Sequence, residues 1–225
     1  MDPEILAFLA SDAGAAAMEN PQDDEAGKIA VAIMAKVNKM SSEDMIRVAT
    51  EEYGQPLTDQ TIIELGPGAG YATTFLMAKK PASVLAYEVS PVFRKLLRED
   101  TALANAISAG TLVITGDDAI SMRGVATSSV DVIFGMNVVY FLTPLADYLK
   151  EMLRVLKPGG WIVFGTKMGA AKAGGAAFVN LSPEEIVAEM TAVGFTAAAI
   201  APPRLVSDPP TPATYVPIVC QKPPV

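Results

Sequence analysis

The sequence predicts an α/β fold in which helices cover both faces of a single, mostly parallel β-sheet. From residue 57 onward, short runs rich in β-branched residues alternate with helical patterns, which is typical of successive βαβ units. A glycine-rich turn joins the first such run to the first helical pattern, as in sheets that bind ligands at the carboxyl ends of their strands. The 225 residues, 51% of them apolar, suffice for one core of this kind.

Seven strands are expected, with the last one antiparallel to its neighbours. The segment between the sixth and seventh strands contains Pro202, Pro203, Pro209, Pro210 and Pro212, so it is too rich in proline to form a helix or a central strand. We therefore predict a long hairpin connection there. The strands are predicted at Thr61–Leu65, Val84–Glu88, Leu112–Thr115, Val130–Phe134, Trp161–Phe164, Phe195–Ile200 and Tyr215–Gln221.

Four helices alternate with these strands. Ser90 and Ser182 each precede a proline and serve as helix N-caps, while Gly194 is a suitable C-terminal stop. The segment Pro158-Gly159-Gly160 ends a third helix. The helices are expected from Thr73 to Lys79, from Pro91 towards Ala106, from Leu145 to Leu156 and from Pro183 to Val193.

The first 56 residues differ in composition and predict two amphipathic helices. Ile29, Ile33, Met34, Val37 and Met40 recur at helical spacing, and the pair Ser41 and Asp44 resembles a capping box that begins the second helix. Their apolar faces either pack on the sheet or cover a substrate. The chain is accordingly divided into an N-terminal helical lid or cap at 1–56 and a ligand-binding domain at 57–225.

Composition excludes several classes of function. The chain has no histidine and one cysteine, Cys220, so imidazole-based catalysis, histidine-ligated metals and internal disulfides are excluded. The net charge of −8 and the scattered basic residues argue against a nucleic-acid partner. Apolar runs are too short to span a bilayer, and the acidic N-terminus does not resemble a signal peptide. We expect a cytoplasmic protein without stable membrane insertion, in an oligomeric state that the sequence leaves open.

Chemistry-bearing residues follow the predicted strands. The turn Glu64–Gly70 has the pattern E-x-G-x-G-x-G, in which glycines let a backbone approach a ligand closely. A dinucleotide fingerprint needs its third glycine where Tyr71 stands, so this is a different loop. Glu88, at the end of the second strand, can accept hydrogen bonds from both hydroxyls of a ribose. Asp117 can accept from a purine amine, and Asn137 lies at the crevice edge.

Taken together, these motifs resemble the class I S-adenosylmethionine-dependent methyltransferases, and among them the enzymes that act on small molecules. The resemblance covers residues 61–164 well, 182–221 loosely and 1–56 hardly at all. It implies a Rossmann-like fold that binds S-adenosylmethionine and releases S-adenosylhomocysteine. The implied cofactor-binding residues are Glu64, Gly66, Pro67, Gly68, Gly70, Tyr71, Glu88, Val89, Asp117, Asp118, Ala119, Asn137 and Val138.

The chain departs from other branches of this superfamily. The segment Gly135–Tyr140 has no proline, which disfavours methylation of nucleobase amines, and no aspartate, which disfavours a magnesium site of the catechol type. No metal is expected. Methyl transfer requires mainly an in-line geometry and the exclusion of water. Without histidine, a nitrogen, sulfur or carbon nucleophile is favoured, or an acidic oxygen such as a phenol or carboxylate.

The sequence also indicates one candidate residue for contact with the acceptor. Tyr140 follows Asn137 by three residues and could orient a nucleophile, although packing with Val139 and Phe141 is an equal alternative. The acceptor is expected to be a small molecule, with an apolar or lipid-like one suggested by the Ile and Met content of the first helices. The alternatives are a cofactor-binding partner subunit without turnover and a nicotinamide-dependent oxidoreductase.

Overall fold

The protein is described here by a computed structural model that covers residues 7–8, 11–172, 178–207 and 212–224. One sheet of eight strands forms its centre, in the order β3-β2-β1-β4-β5-β8-β6, with β7 paired to β8 beside that path. The strands are β1 (Thr61–Leu65), β2 (Ser83–Tyr87), β3 (Leu112–Thr115), β4 (Val130–Met136), β5 (Leu156–Thr166), β6 (Thr196–Ile200), β7 (Arg204–Val206) and β8 (Ala213–Gln221).

Strands β1 to β5 run parallel to one another, and β8 pairs antiparallel with both β5 and β6. The predicted Rossmann-like, doubly wound sheet with an antiparallel last strand is therefore confirmed. The strand order reverses between β1 and β4, where Ile62 of β1 pairs with Val84 on one side and Val132 on the other. A crevice forms at the carboxyl ends of the strands at such a switch point.

The helices are α1 (Asp12–Glu19), α2 (Glu25–Val37), α3 (Lys39–Arg47), α4 (Tyr71–Ala78), α5 (Pro91–Glu99), α6 (Ala104–Ser108), α7 (Leu145–Val155), α8 (Met168–Lys172) and α9 (Pro183–Val193). The expected caps are present. Ser90 Oγ accepts from Phe93 N at 3.3 Å and Ser182 Oγ accepts from Glu185 N at 3.2 Å. Gly194 ends α9 with φ +115°. These caps satisfy amides that a helix cannot satisfy by itself.

The capping box predicted at Ser41 and Asp44 is wrong. Helix α3 already begins at Lys39, so Ser41 lies inside it and donates to Asn38 O at 3.2 Å. The Asp44 carboxylate faces the sheet, where it accepts from Arg204 Nε at 2.5 Å and from Tyr215 Oη at 2.9 Å. Burial raises its pKa, but the bonds from Arg204, Arg47 and Tyr215 more than offset this and bring the pKa of Asp44 to about 2.

Three other element boundaries differ from the prediction. The helix after Ser90 breaks at Asp100, whose carboxylate accepts from Ala102 N at 2.8 Å and so competes with helix continuation. Strand β5 begins at Leu156 and not at the predicted Trp161, so it contains the Pro158-Gly159-Gly160 segment that was expected only to end the preceding helix. The proline-rich connection holds the short strand β7, which pairs antiparallel with β8 from Arg204 to Val206.

The N-terminal helices share the core of the sheet. Met45 and Ile46 of α3 are fully buried in one hydrophobic cluster with Ile62, Val132 and Phe134 of the central strands. The boundary at residue 56 therefore does not separate two independent cores. In the described part of the chain, no helix is long and apolar enough to cross a membrane.

Candidate active site

A cleft of about 310 Å³ lies at the carboxyl ends of β1, β2, β3 and β4. The structure brings twelve of the thirteen predicted cofactor residues to its walls, from four separate loops. The exception is Gly70, which is buried behind the turn. The twelve are Glu64, Gly66, Pro67, Gly68, Tyr71, Glu88, Val89, Asp117, Asp118, Ala119, Asn137 and Val138.

The glycine turn depends on backbone conformations that side chains disfavour. Gly66, Gly68 and Gly70 have φ values of +59°, +55° and +83°, in the left-handed region. A Cβ on Gly70 would lie 2.8 Å from Leu97 Cδ2, so this glycine serves close packing of the turn. A Cβ on Gly68 would meet nothing closer than 4.0 Å, which leaves this backbone open to a ligand.

Glu88 ties the glycine turn to the end of β2. Its Oε2 accepts from Gly68 N and its Oε1 from Ser90 N, each at 2.9 Å, and the residue is 5% exposed. Burial raises the pKa of Glu88, while the amides of Ser90 and Gly68 oppose that rise. Each carboxylate oxygen keeps a further lone pair for a ligand hydroxyl. Glu88 therefore holds the turn in shape at the place predicted to bind a ribose.

Glu64 is a buried carboxyl group without a hydrogen-bond partner. Both of its oxygens, like Thr73 Oγ1, are shielded from solvent and make no hydrogen bond of ordinary geometry. Burial raises the pKa of Glu64 to about 8; the nearby Thr73 lowers it in part, and the charge of Glu88 adds to the rise. An orphaned buried acid is costly in an empty protein. It fits a site that receives a cationic ligand, as S-adenosylmethionine is.

The loop after β3 contributes two exposed acids. Asp117 Oδ2 accepts from Thr115 Oγ1 at 2.9 Å, and Asp118 Oδ1 accepts from Ile120 N at 3.0 Å. Burial raises the pKa of Tyr148, and its hydrogen bond to Asp118 and the charges of Asp118 and Glu19 raise it further. Tyr148 and Glu19 also line the cleft. Asp118 of the loop and Glu19 of α1 therefore both act on the Tyr148 hydroxyl.

Asn137 connects the end of β4 to the N-terminal helices. Its backbone is left-handed, with φ +57°, and its N donates to Gly165 O at 2.7 Å. Its Nδ2 donates to Asn38 Oδ1 at 2.8 Å, and its Oδ1 accepts from Lys167 N at 3.0 Å. Asn38 Oδ1 also accepts from Lys167 Nζ at 3.2 Å. These bonds fasten the junction of α2 and α3 across the strand ends.

Tyr140 lies in the core beside the cleft. It is 5% exposed and packs with Phe141 and Phe178 at ring-centroid distances of 5.0 and 5.3 Å. Burial strongly raises the pKa of its hydroxyl. Phe141, and not Tyr140, lines the cleft. The position of Tyr140 favours the packing alternative over contact with an acceptor.

Sequence reasoning missed a second set of cleft residues. Helical periodicity reports which face of a helix is buried but not what it is buried against, so the first helices could not be aligned with the cleft. Ser90 Oγ donates to Pro21 O at 2.6 Å and so anchors the chain after α1 beside Glu88. The additional lining residues are Met18, Glu19, Asn20, Met34, Asn38, Ser42, Leu65, Ala69, Ala72, Tyr87, Phe93, Met136, Phe141, Leu142 and Tyr148.

Comparisons with known proteins match the segment that builds most of this cleft. Residues 63–164 match a family model described as a methyltransferase domain. That match spans the glycine turn, Glu88, the loop after β3 and Asn137. Family match and fold agree: residues 63–164 are similar to a methyltransferase domain, and the sheet has the Rossmann-like order of the class I methyltransferases.

Solved structures show the same fold at low sequence identity. A methyltransferase from Aquifex aeolicus is 15% identical, with 99% of each chain covered and a TM-score of 0.59. The 1,6-didemethyltoxoflavin-N1-methyltransferase of Burkholderia thailandensis, solved with S-adenosylhomocysteine, is 13% identical, with 83% of this chain and 80% of that chain covered and a TM-score of 0.58.

A third similar structure is phosphoethanolamine N-methyltransferase 2 of Haemonchus contortus, also solved with S-adenosylhomocysteine. It is 12% identical, with 80% of this chain and 53% of that chain covered and a TM-score of 0.61. No curated protein sequence matches the chain. Within the described residues, no group of three or more Cys, Asp or Glu side chains is arranged to hold a metal ion.

Proposed function

We propose that the protein methylates a small-molecule acceptor with an apolar body, bound between the N-terminal helices and the loop after β4. The observation that carries this proposal is the set of apolar side chains that the N-terminal helices and the segment after β4 contribute to the cleft. Met18 and Met34 come from α1 and α2, and Phe141 and Leu142 come from the segment after β4. Methionine side chains adapt to irregular apolar shapes.

The cofactor fits the remaining walls. Gly66 and Gly68 provide an open backbone, Glu88 a ribose acceptor, and the loop at Asp117 an acceptor for the adenine amine. When bound, S-adenosylmethionine supplies a methyl group on a cationic sulfur for in-line displacement. The chain positions the reactants and excludes water from them. The hydrogen bond between Asn137 and Asn38 fastens the N-terminal helices across the strand ends, and the methionines exclude water.

This proposal is tested by label transfer from radiolabelled S-adenosylmethionine into a metabolite extract, combined with calorimetry of cofactor binding. Met34→Gln should lower transfer while leaving cofactor affinity unchanged, because it polarises only the acceptor wall. The matched control is Met40→Gln, since Met40 is 40% exposed on α3 and does not line the cleft. Equal transfer by both variants would contradict the proposed acceptor site.

A truncation tests the two N-terminal helices α1 and α2 together. A protein that begins at Asn38 retains Met45 and Ile46 in the core, so it should fold and bind cofactor with reduced affinity. It should lose transfer, because α1 and α2 form part of the cleft wall. Cofactor binding without any transfer by the intact chain would instead support a partner subunit without turnover. Binding of a nicotinamide cofactor in place of S-adenosylmethionine would support the oxidoreductase alternative.

A further inference from the structure

The cleft has the composition of a cation-binding site. In the part of the chain that the structure describes, its walls carry five carboxyl groups and five aromatic rings but no lysine or arginine. Carboxylates attract cations, and aromatic faces attract them through their quadrupole. The acids are Glu19, Glu64, Glu88, Asp117 and Asp118, and the rings belong to Tyr71, Tyr87, Phe93, Phe141 and Tyr148.

A second observation shows that one of these acids is left without a partner in the protein. Glu64 is 2% exposed, lines the cleft, and makes no hydrogen bond of ordinary geometry on either oxygen. Its cost of burial is recovered only when a donor or a cation enters the cleft. Glu88, by contrast, is held by two backbone amides.

Two basic side chains lie next to the cleft without lining it, and the charge of Arg94 opposes the rise that burial gives the pKa of Glu88. Arg94 Nη1 donates to the carbonyl oxygens of Glu88 and Val89, at 2.8 and 2.7 Å. Lys167 is 7% exposed and its Nζ donates to Asn38 Oδ1 at 3.2 Å. Neither residue lines the cleft. An anion in the cleft would therefore meet acids on the walls and no described basic side chain among them.

On the basis of the proposed function, we infer that the acceptor is an amine, neutral or protonated when it binds, and that carboxylate, phenolate and phosphate-bearing acceptors are rejected. The reacting atom of the acceptor must sit close to the sulfonium methyl and so within the same field. Like charges in a cleft of low dielectric disfavour the anionic acceptors, and discrimination by repulsion is a general device of specificity. This choice narrows the nucleophiles that the sequence left open.

The transfer step balances without a further reactant. An amine that binds protonated first releases its proton to solvent. The nitrogen lone pair then forms the N–C bond while the C–S bond breaks and leaves its electron pair on sulfur. The positive charge passes from sulfur to nitrogen, so it stays inside the acidic cleft until the methylated ammonium leaves. A carboxylate acceptor would instead lose its charge in the same step.

The sign of the field at the transferred methyl can be measured with three ligands of the same shape. S-adenosylmethionine is cationic at sulfur, S-adenosylhomocysteine is neutral there, and sinefungin carries an ammonium in place of the sulfonium. We expect both cationic ligands to bind about tenfold more tightly than S-adenosylhomocysteine at low salt, with a smaller ratio at high salt. Calorimetry of the full chain measures all three dissociation constants.

Variants locate the source of that ratio. Glu19→Gln should reduce the ratio of dissociation constants severalfold. The substitution removes one carboxylate of the cleft that makes no hydrogen bond to the described loops of the cofactor site. Glu189→Gln is the control, because Glu189 is exposed on α9 and does not line the cleft. A ratio of one or less, or equal ratios in both variants, overturns the inference. Failure of all three ligands to bind contradicts the proposed function itself.

The acceptor class is tested in parallel with the extract separated by ion exchange into cationic, neutral and anionic pools. Radiolabelled methyl groups should appear on amines of the cationic pool. Where an acceptor amine is uncharged, the label should appear in the neutral pool. Label in an anionic acceptor overturns the inference even where the ligand ratio favours cations. If no pool is labelled, the inference is judged by the ratio of dissociation constants alone.

Discussion

Replacing Glu88 with glutamine tests whether this residue serves the cofactor or only the fold. The carboxylate accepts from Gly68 N and Ser90 N, both at 2.9 Å. A glutamine keeps one acceptor and presents an NH2 group to the other amide, so one of the two bonds is lost and the second loses its charge. A ribose hydroxyl that donates to the Glu88 carboxylate would likewise lose a charged acceptor.

The magnitude follows from these contacts. A hydrogen bond to a charged group contributes about 1.5–3 kcal/mol and a neutral one about 0.5–1.5 kcal/mol. We expect cofactor binding to weaken by about 2–3 kcal/mol, or roughly 30- to 150-fold in dissociation constant. Thermal stability should change less, because the variant also removes a buried charge whose pKa is raised by burial.

Calorimetry with S-adenosylmethionine and a thermal melt of the ligand-free protein measure the two effects separately. Glu99→Gln provides the control, since Glu99 is exposed at the last residue of α5 and should affect neither quantity. Wild-type affinity in Glu88→Gln would refute the assignment of Glu88 to the cofactor. A loss of stability as large as the loss of affinity would show that the residue acts mainly on the turn.

Four further outcomes are expected. Glu64 keeps a proton in the folded protein up to about pH 8 against an ordinary pKa of 4.5, so ligand-free stability should fall as pH rises through this interval, and Glu64→Gln should abolish that slope in thermal melts. Gly68→Ala and Gly110→Ala each place a side chain at positive φ without a clash and should cost about 1 kcal/mol, but calorimetry should show lost cofactor affinity for Gly68→Ala alone. The Asp44 carboxylate stabilises the protein above its ordinary pKa of 3.8, a contribution lost as pH falls towards 2, so acid unfolding should be steeper in the wild type than in Asp44→Asn. Tyr140→Phe keeps the packed ring and should leave turnover unchanged; reduced turnover at constant Tm would instead place its hydroxyl at the acceptor.

Local sequence patterns were sufficient for most of the sheet and for the cofactor loops. Strand β1 follows from a β-branched run, and the turn after it follows from three glycines that adopt positive φ. Both are properties of a few consecutive residues. Since the carboxyl ends of parallel strands meet at one edge, Glu88, Asp117 and Asn137 could be brought together from topology alone.

Helix boundaries in the N-terminal part were less accessible, because the decisive contacts are distant in sequence. Ser41 and Asp44 have the spacing of a capping box, yet Asp44 bonds to Arg204 and Tyr215 from the last strands. A residue type that can cap a helix can equally accept from a guanidinium. Only the tertiary fold selects between the two.

The sequence by itself determined the class of fold and most of the residues that the strand loops bring to one cleft, because these depend on short motifs at strand ends. Tertiary structure decided the rest: that Gly70 packs behind the turn, that Tyr140 points its ring into the core, and that α1 and α2 complete the cleft. It also decided the electrostatics. Glu19 joins the acids of the strand loops in a cleft that no described basic side chain lines, and this depends on how distant segments pack and not on any local pattern.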